Sequence, residues 1–252
     1  MTGQPLPQAS AKTPTEADWR TRFERAMVAQ RAGDLLMLAE EAPSSELAHL
    51  ASTAAQRAAA AQSNAPRQVL LFSGHLVDAP GRSPPRFPSS KVPAAATHLA
   101  QVLAELDAGP QDLALSQAAA GGDLLFIEAC TARGVRCEVL LPFGEAEFIA
   151  QSIAPVSDAA QWQQRYLAAL QKLQQPVRCM PDALGLTPAG RNAYERCNRW
   201  LLTSALVHGA DKVRFICLWN GGGGDGPGGT QHMHDEVQRR GGRVWWIDTR
   251  TL

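Results

Sequence analysis

With 252 residues, the chain can bury the core of one α/β domain and still carry a smaller appendage. Its 24 Lys and Arg balance 24 Asp and Glu, so no global field favours nucleic acid or an anionic membrane, and any such work falls to local patches. No apolar run approaches the about 18 residues of a membrane-spanning helix, and the segment MTGQPLPQASAKTPTEAD lacks the basic and apolar regions of a secretion signal, so a cytoplasmic address and no membrane partner are expected.

In chain order, residues 1–17 are rich in Pro, Gln, Thr and Ala and are expected to form a disordered tail. Residues 18–62 read as a small helical hairpin. Trp19, Phe23, Met27 and Val28 form one apolar stripe, Gly33-Asp34 breaks it, Leu35, Leu36 and Leu38 resume it, and Pro43-Ser44 opens a further helix. This resembles the helical hairpins of tetratricopeptide-like repeats, although it is too short for an array, and it is expected to pack on the main domain or on a protein partner. The main domain is expected over residues 68–252. It opens with the buried strand VLLFSGH ending in Ser73-Gly74, followed by a long loop, His75 to Ser90, rich in proline and carrying Arg82 and Arg86. Loops of this length inside a compact domain are functional or disordered. One reading is a lid that brings guanidinium groups to an anionic ligand; the other is a solvated excursion.

After a helix over residues 91–106, Asp112 to Phe143 forms a complete strand, turn, helix and strand. Leu113, Ala114 and Leu115 are the first strand, and Ser116 to Gly122 is a run of small residues ending in Gly121-Gly122. From Asp123, apolar residues recur at helical spacing until Arg133-Gly134, and Cys137 to Leu141 is the next strand. The small residues thus lie at the carboxyl end of a strand in a βαβ unit, where open α/β sheets bind ligands and a helix N-terminus offers N–H groups and about half a positive charge. A plain tight turn is the alternative, since the run is not a full G-x-G-x-x-G.

Amphipathic helices follow over residues 145–153 and 159–173, with Trp162 and Tyr166 read as a core pair, and a short strand is expected near Val177 to Met180. A helix from Asn192 to about His208 gathers Asn192, Glu195, Arg196 and Arg199 around its first turns, either facing an anion or serving as a cap and solvated face. The strand KVRFICLW then runs into NGGGGDGPGGT, with seven glycines in eleven positions, before a helix over 231–240 and the final strand RVWWID. Two small-residue turns should therefore meet at one edge of a parallel sheet. The five cysteines, Cys130, Cys137, Cys179, Cys197 and Cys217, contain no C-x-x-C and are expected to be reduced core residues. His232 and His234, two apart on a helix, diverge, so neither a metal nor a cofactor is expected.

The segment SQAAAGGDLLFIEACTARGVRCEVLLP resembles the glycine-rich strand, turn, helix and strand of the SLOG superfamily of Rossmann-like proteins, which includes the Lonely Guy phosphoribohydrolases and the DNA-processing protein A family. Pro227-Gly228-Gly229-Thr230 is similar to the start of the Lonely Guy signature P-G-G-x-G-T-x-x-E, and Val69 to Gly74 to the first strand of that superfamily. The resemblance spans roughly residues 68–248. It implies a Rossmann-like open parallel sheet with helices on both faces. In the enzymes it implies a catalytic glutamate three positions after the threonine; here Met233 stands there, Glu236 comes three later, and one interposed glycine is missing.

Three functions stay open. As a sensor of a nucleotide-derived signal, Gly74, Ser116, Gly121, Gly122, Gly228, Gly229 and Thr230 would cradle phosphate. Arg82, Arg86 and Arg199 would neutralise it, and Asp123 or Asp225 would hold a ribose hydroxyl. As an N-glycosidase, Glu128 or Glu236 would stabilise an oxocarbenium-like transition state. As an interaction protein, the helical hairpin would recruit a protein partner beside an inert Rossmann-like domain. A second copy of the chain is a further expected partner.

Overall fold

The computed structural model describes residues 15–62, 64–187, 192–222 and 229–252. Most of the expected tail, residues 1–14, lies outside them; the remainder does not, because Thr15 caps the first helix with its side chain on the Asp18 amide. Three N-terminal helices follow: α1 (Glu16–Ala29), α2 (Ala32–Glu40) and α3 (Ser45–Ala60). The first break falls at Gln30, which adopts a left-handed backbone with φ 49°, and not at Gly33-Asp34. Gly33 lies within α2 because a Cβ there would sit 2.8 Å from Ser204 Cα, so the glycine permits close approach of a second helix rather than a turn.

The sheet contains six parallel strands, β1 (Val69–Gly74), β2 (Leu113–Ser116), β3 (Arg136–Leu141), β4 (Arg178–Cys179), β5 (Val213–Trp219) and β6 (Arg243–Asp248), in the order β4-β3-β2-β1-β5-β6. Central strands of this kind are covered on both faces, which is why VLLF and FICL read as continuous apolar runs. Leu70, Phe72, Ala114, Ile216 and Leu218 face one core, and Val69, Leu71, Leu115, Phe215 and Cys217 face the other. The first face is closed by α4 (Val92–Glu105), α5 (Gly122–Ala132) and α7 (Ala159–Leu170). The second is closed by α8 (Ala193–Leu206) and α9 (Thr230–Arg239), while α6 (Glu145–Ser152) follows β3. The chain is therefore an α/β protein with a Rossmann-like parallel sheet. Cys130, Cys137, Cys197 and Cys217 are buried free thiols as expected; Cys179, on the two-residue edge strand β4, is exposed.

The N-terminal helices share the second core, with Trp19, Leu35, Leu38, Val69, Trp200 and Phe215 in one cluster. Seven of the nine residues of α2 are buried. Polar contacts fix the layer in place. Asp34 accepts two bonds of 2.9 Å from Arg178 Nη2 and one of 2.7 Å from Trp200 Nε1. Glu40 binds Arg199 at 3.2 Å and Arg240 at 2.5 Å, and Glu41 binds Arg22 at 2.5 Å and Arg196 at 3.3 Å. No helix among the described residues is long and apolar enough to cross a membrane.

Two outcomes follow for stability. Removing one partner of a buried ion pair strands the other, which costs about 3–5 kcal/mol. Asp34, with a side chain 2% exposed, should lose that order of stability on Asp34→Ala, whereas Glu16→Ala in the exposed Glu16–Arg20 pair should change the urea midpoint little. Gly121→Ala should also destabilise, by at least about 2 kcal/mol, because φ is 126° and the added Cβ would lie 2.6 Å from His75 O and 2.7 Å from Val77 N. Urea titrations of the three variants followed by circular dichroism check both.

Candidate functional site

Strand order alone locates the site. From β1 the chain moves through β2 and β3 to β4 on one side, then returns to place β5 and β6 on the other. The α4 crossover covers one face of the sheet and α8 the other, so the chain diverges between β1 and β5 at their carboxyl ends. Open α/β sheets bind ligands at such a switch point. A cavity of about 460 Å³ lies there. A more open depression of about 580 Å³ lies between Arg67 and Arg133, beside the amino ends of the strands.

One wall of the cavity comes from the ends of β1 and β5. Ser73 and Gly74 close β1, and Ser73 Oγ lies 3.1 Å from Thr230 Oγ1 at the first turn of α9. Gly229 precedes that turn in extended conformation, and Gly229 and Thr230 both line the cavity, so the N-terminus of α9 borders the same space. His75 follows, and its Nε2 accepts from the Asn220 amide at 3.2 Å. Burial, with the nearby charges of Arg86 and Arg82 adding to it and a bond to Asn220 opposing it, holds this imidazole below its ordinary pKa, in the neutral form.

The loop after β1 forms the opposite rim. Asp78 is its hub: Oδ2 accepts from the amides of Arg86 at 2.9 Å and Phe87 at 3.1 Å, and Oδ1 pairs with Arg82 at 3.6 Å. The Asp78 carbonyl in turn accepts from Ser157 N and Oγ at 3.0 and 2.9 Å. Val77 and Phe87 are buried and anchor the loop at both ends, residues 79–85 between them are exposed, and Arg82 and Arg86 line the cavity.

The far wall comes from α8 and the segment after α6. Tyr194 bonds Ser152 at 2.8 Å and meets Phe143 edge-on, and Gln117 Nε2 donates to Asn198 Oδ1 at 2.6 Å. Tyr194 and Asn198 are four apart and therefore share one helix face. Arg196 and Arg199 lie on another face, against Glu41 and Glu40. Reading the first turns of this helix by charge thus picked the face that binds α2; the i, i+4 spacing of Tyr194 and Asn198 carried the signal for the cavity. His75, directly after the Ser-Gly strand end, was the other legible clue.

Asp123, the second residue of α5, completes the floor. Its Oδ2 accepts from the Ala119 amide at 3.3 Å. Burial raises its pKa to about 7, against the pull of the Ala119 and Gly74 amides. A lesser pull comes from the Ser116 hydroxyl, which is buried near the carboxyl without a hydrogen bond of good geometry. Of the residues expected to bind, Gly74, Arg82, Arg86, Asp123, Gly229 and Thr230 line one cavity. Asp225 and Gly228 lie outside the described residues.

Ser116, Gly121 and Gly122 are not part of that lining. Their turn is occupied by the chain itself: Gly122 N donates to His75 O at 3.0 Å, and Val77 N to Ala120 O at 3.0 Å. The expected cradle is thus a docking strip for residues 75–77. Arg199 is turned to Glu40, and both candidate catalytic carboxylates are elsewhere too. Glu128 pairs with Arg165 at 2.5 Å, and Glu236 pairs with Arg239 and, at 2.6 Å, with Arg240. Met233, three positions after Thr230 where the resemblance would place a glutamate, is 1% exposed in the second core. Among the described residues, no three of His, Cys, Asp and Glu converge as metal ligands.

No family model matches the chain, and no curated protein matches it. Among solved structures, the X-ray structure of DNA processing protein A from Streptococcus pneumoniae is similar at 10% sequence identity, with 94% of this chain and 92% of that chain covered and a TM-score of 0.34. The fold assignment rests on the sheet order described above, and the site on its own geometry.

Proposed function

We propose that this protein binds a nucleotide or a nucleotide-derived phosphate ligand in the switch-point cavity and acts as a sensing domain. The observation that supports the reading is that one cavity gathers two hydroxyls, Ser73 and Thr230, the start of α9, and two guanidinium side chains, Arg82 and Arg86. Backbone N–H groups and hydroxyls fit phosphate oxygens, and arginine matches them with a planar fork of donors. The amide and phenol groups of Gln117, Asn198 and Tyr194 at the far wall suit a neutral polar group on the same ligand.

Hydrolysis of an N-glycosidic bond finds less support. A catalytic carboxylate must reach the reacting bond, and both Glu128 and Glu236 are engaged by arginines outside the cavity. On the proposed reading, incubation with adenosine monophosphate or nicotinamide adenine dinucleotide releases no free base above background. Base release abolished by Glu236→Gln or Glu128→Gln in a folded protein would reverse the assignment.

Binding itself is checked by thermal shift and calorimetry with a panel of nucleoside mono- and diphosphates, dinucleotides and ribose 5-phosphate. A ligand at a hundred times its dissociation constant stabilises by about 2.7 kcal/mol. Arg86→Ala should weaken the best ligand by at least about tenfold, the scale of one charge-assisted hydrogen bond. Gly229→Val, at a backbone with φ −75° that valine adopts freely, should leave the fold intact and abolish binding. Undiminished affinity in a folded Gly229→Val protein would remove the α9 turn from the site.

A further inference from the structure

We propose that the cavity takes up its anionic ligand together with a proton, the neutral carboxyl of Asp123 donating a hydrogen bond to a ligand oxygen. This rests on the reading of the cavity as an oxyanion site and deepens it by naming what resolves a conflict inside it. A site that receives an anion between Arg82, Arg86 and the α9 N-terminus also carries a carboxyl group in its floor, 7% exposed.

The geometry makes that conflict sharp. Asp123, Arg82 and Arg86 line one space of about 460 Å³, so an oxyanion bound in it shares that space with the Asp123 carboxyl. Two negative charges about 8 Å apart at an effective dielectric of about 20 repel enough to weaken binding about thirtyfold. The donors that meet the Asp123 carboxyl are neutral, the Ala119, Gly74 and Gln117 amides and the Ser116 hydroxyl, so they lessen this repulsion without cancelling the charge. A proton on the carboxyl removes the repulsion and supplies a donor at the same stroke. The anion, once bound, in turn favours that proton.

The groups that share the cavity with Asp123 come from three directions. The strand end and loop after β1 bring His75, Asp78, Arg82 and Arg86; α8 brings Tyr194 and, behind the wall, Cys197; α9 and β5 bring Thr230 and Trp219, which do not titrate. Burial pushes His75 below its ordinary value and pushes Tyr194 and Cys197 above theirs, whereas burial brings Asp123 to about 7. Folded and unliganded, the site is therefore poised so that a change near neutrality falls on Asp123.

Sulfate is the probe of choice, because it neither gains nor loses a proton near neutral pH. Its affinity for the full chain, measured by calorimetry from pH 5.5 to 8.5, should fall as pH rises through about 7, by up to about tenfold per pH unit. Comparison of buffers with different ionisation enthalpies should show uptake of about three-quarters of a proton per sulfate at pH 7.5, approaching about one at pH 8.5. Asp123→Asn keeps a donor and loses the titration, so it should bind sulfate at every pH about as the unsubstituted protein does at pH 5.5. His75→Gln should retain the pH dependence. Sulfate binding that is independent of pH overturns proton coupling and leaves the oxyanion reading standing. Loss of the pH dependence in His75→Gln places the proton on the imidazole and overturns the assignment to Asp123. No sulfate binding at any pH, in either the unsubstituted protein or Asp123→Asn, overturns the oxyanion reading itself. Should Asp123→Asn fail to fold, proton uptake by the unsubstituted protein decides the question alone.

Discussion

The exit of β1 crosses the turn before α5 at a distance that leaves no room for side chains, and the cavity depends on that crossing. A Cβ on Gly122 would lie 3.2 Å from Gly74 Cα, and one on Gly121 would meet the backbone of His75 and Val77. Because the two segments also exchange hydrogen bonds, the chain leaving β1 is held flat across the sheet edge. Asp78 then gathers the following loop through the Arg86 and Phe87 amides, and Arg82 and Arg86 line the cavity together with the ends of β1 and β5. Glycines that read as a ligand cradle thus act one step earlier, by shaping the wall of a neighbouring cradle.

The elements were legible because local rules set them: continuous apolar runs gave the strands, and 3.6-residue spacing gave the helices. The turns after β2 and β5 both read as parts of one ligand cradle; Gly229 lines the cavity, whereas Gly121-Gly122 meets residues 75–77 instead. What the sequence could not show was which side chains face each other across long separations. Arg199 and Glu40 are an example, since nothing local distinguishes an arginine awaiting an anion from one answering a carboxylate 159 residues away. Glu128 and Arg165, 37 apart, make the same point on the other face. Asp123 was picked out through its place at a helix start, but its protonation depends on enclosure, which is a property of the folded surroundings and not of spacing.

Carboxylates at the end of α2 tie together helices that contribute to the cavity. Glu40 reaches both α8, which carries Tyr194 and Asn198, and the C-cap of α9, which begins at Thr230. Glu41 holds Arg196, whose guanidinium also donates to Gly185 O at 2.7 Å. The N-terminal helices therefore belong to the scaffold that sets the spacing of the two cavity walls. Ion pairs of this kind strengthen geometry more than they add stability, since each buried charge costs desolvation that its partner must repay.

The burial of α2 also has a consequence for how the chain matures. Its partners lie far along the sequence: Trp200 is 166 residues from Asp34, and Arg240 is 200 residues from Glu40. During synthesis the first helices leave the ribosome well before α8 and α9 exist, with Leu35, Met37 and Leu38 lacking their cover. Contacts of such sequence separation are slow to form and expose apolar surface in the interval. The N-terminal layer is thus expected to reach its native surroundings only after α8 and α9 have formed.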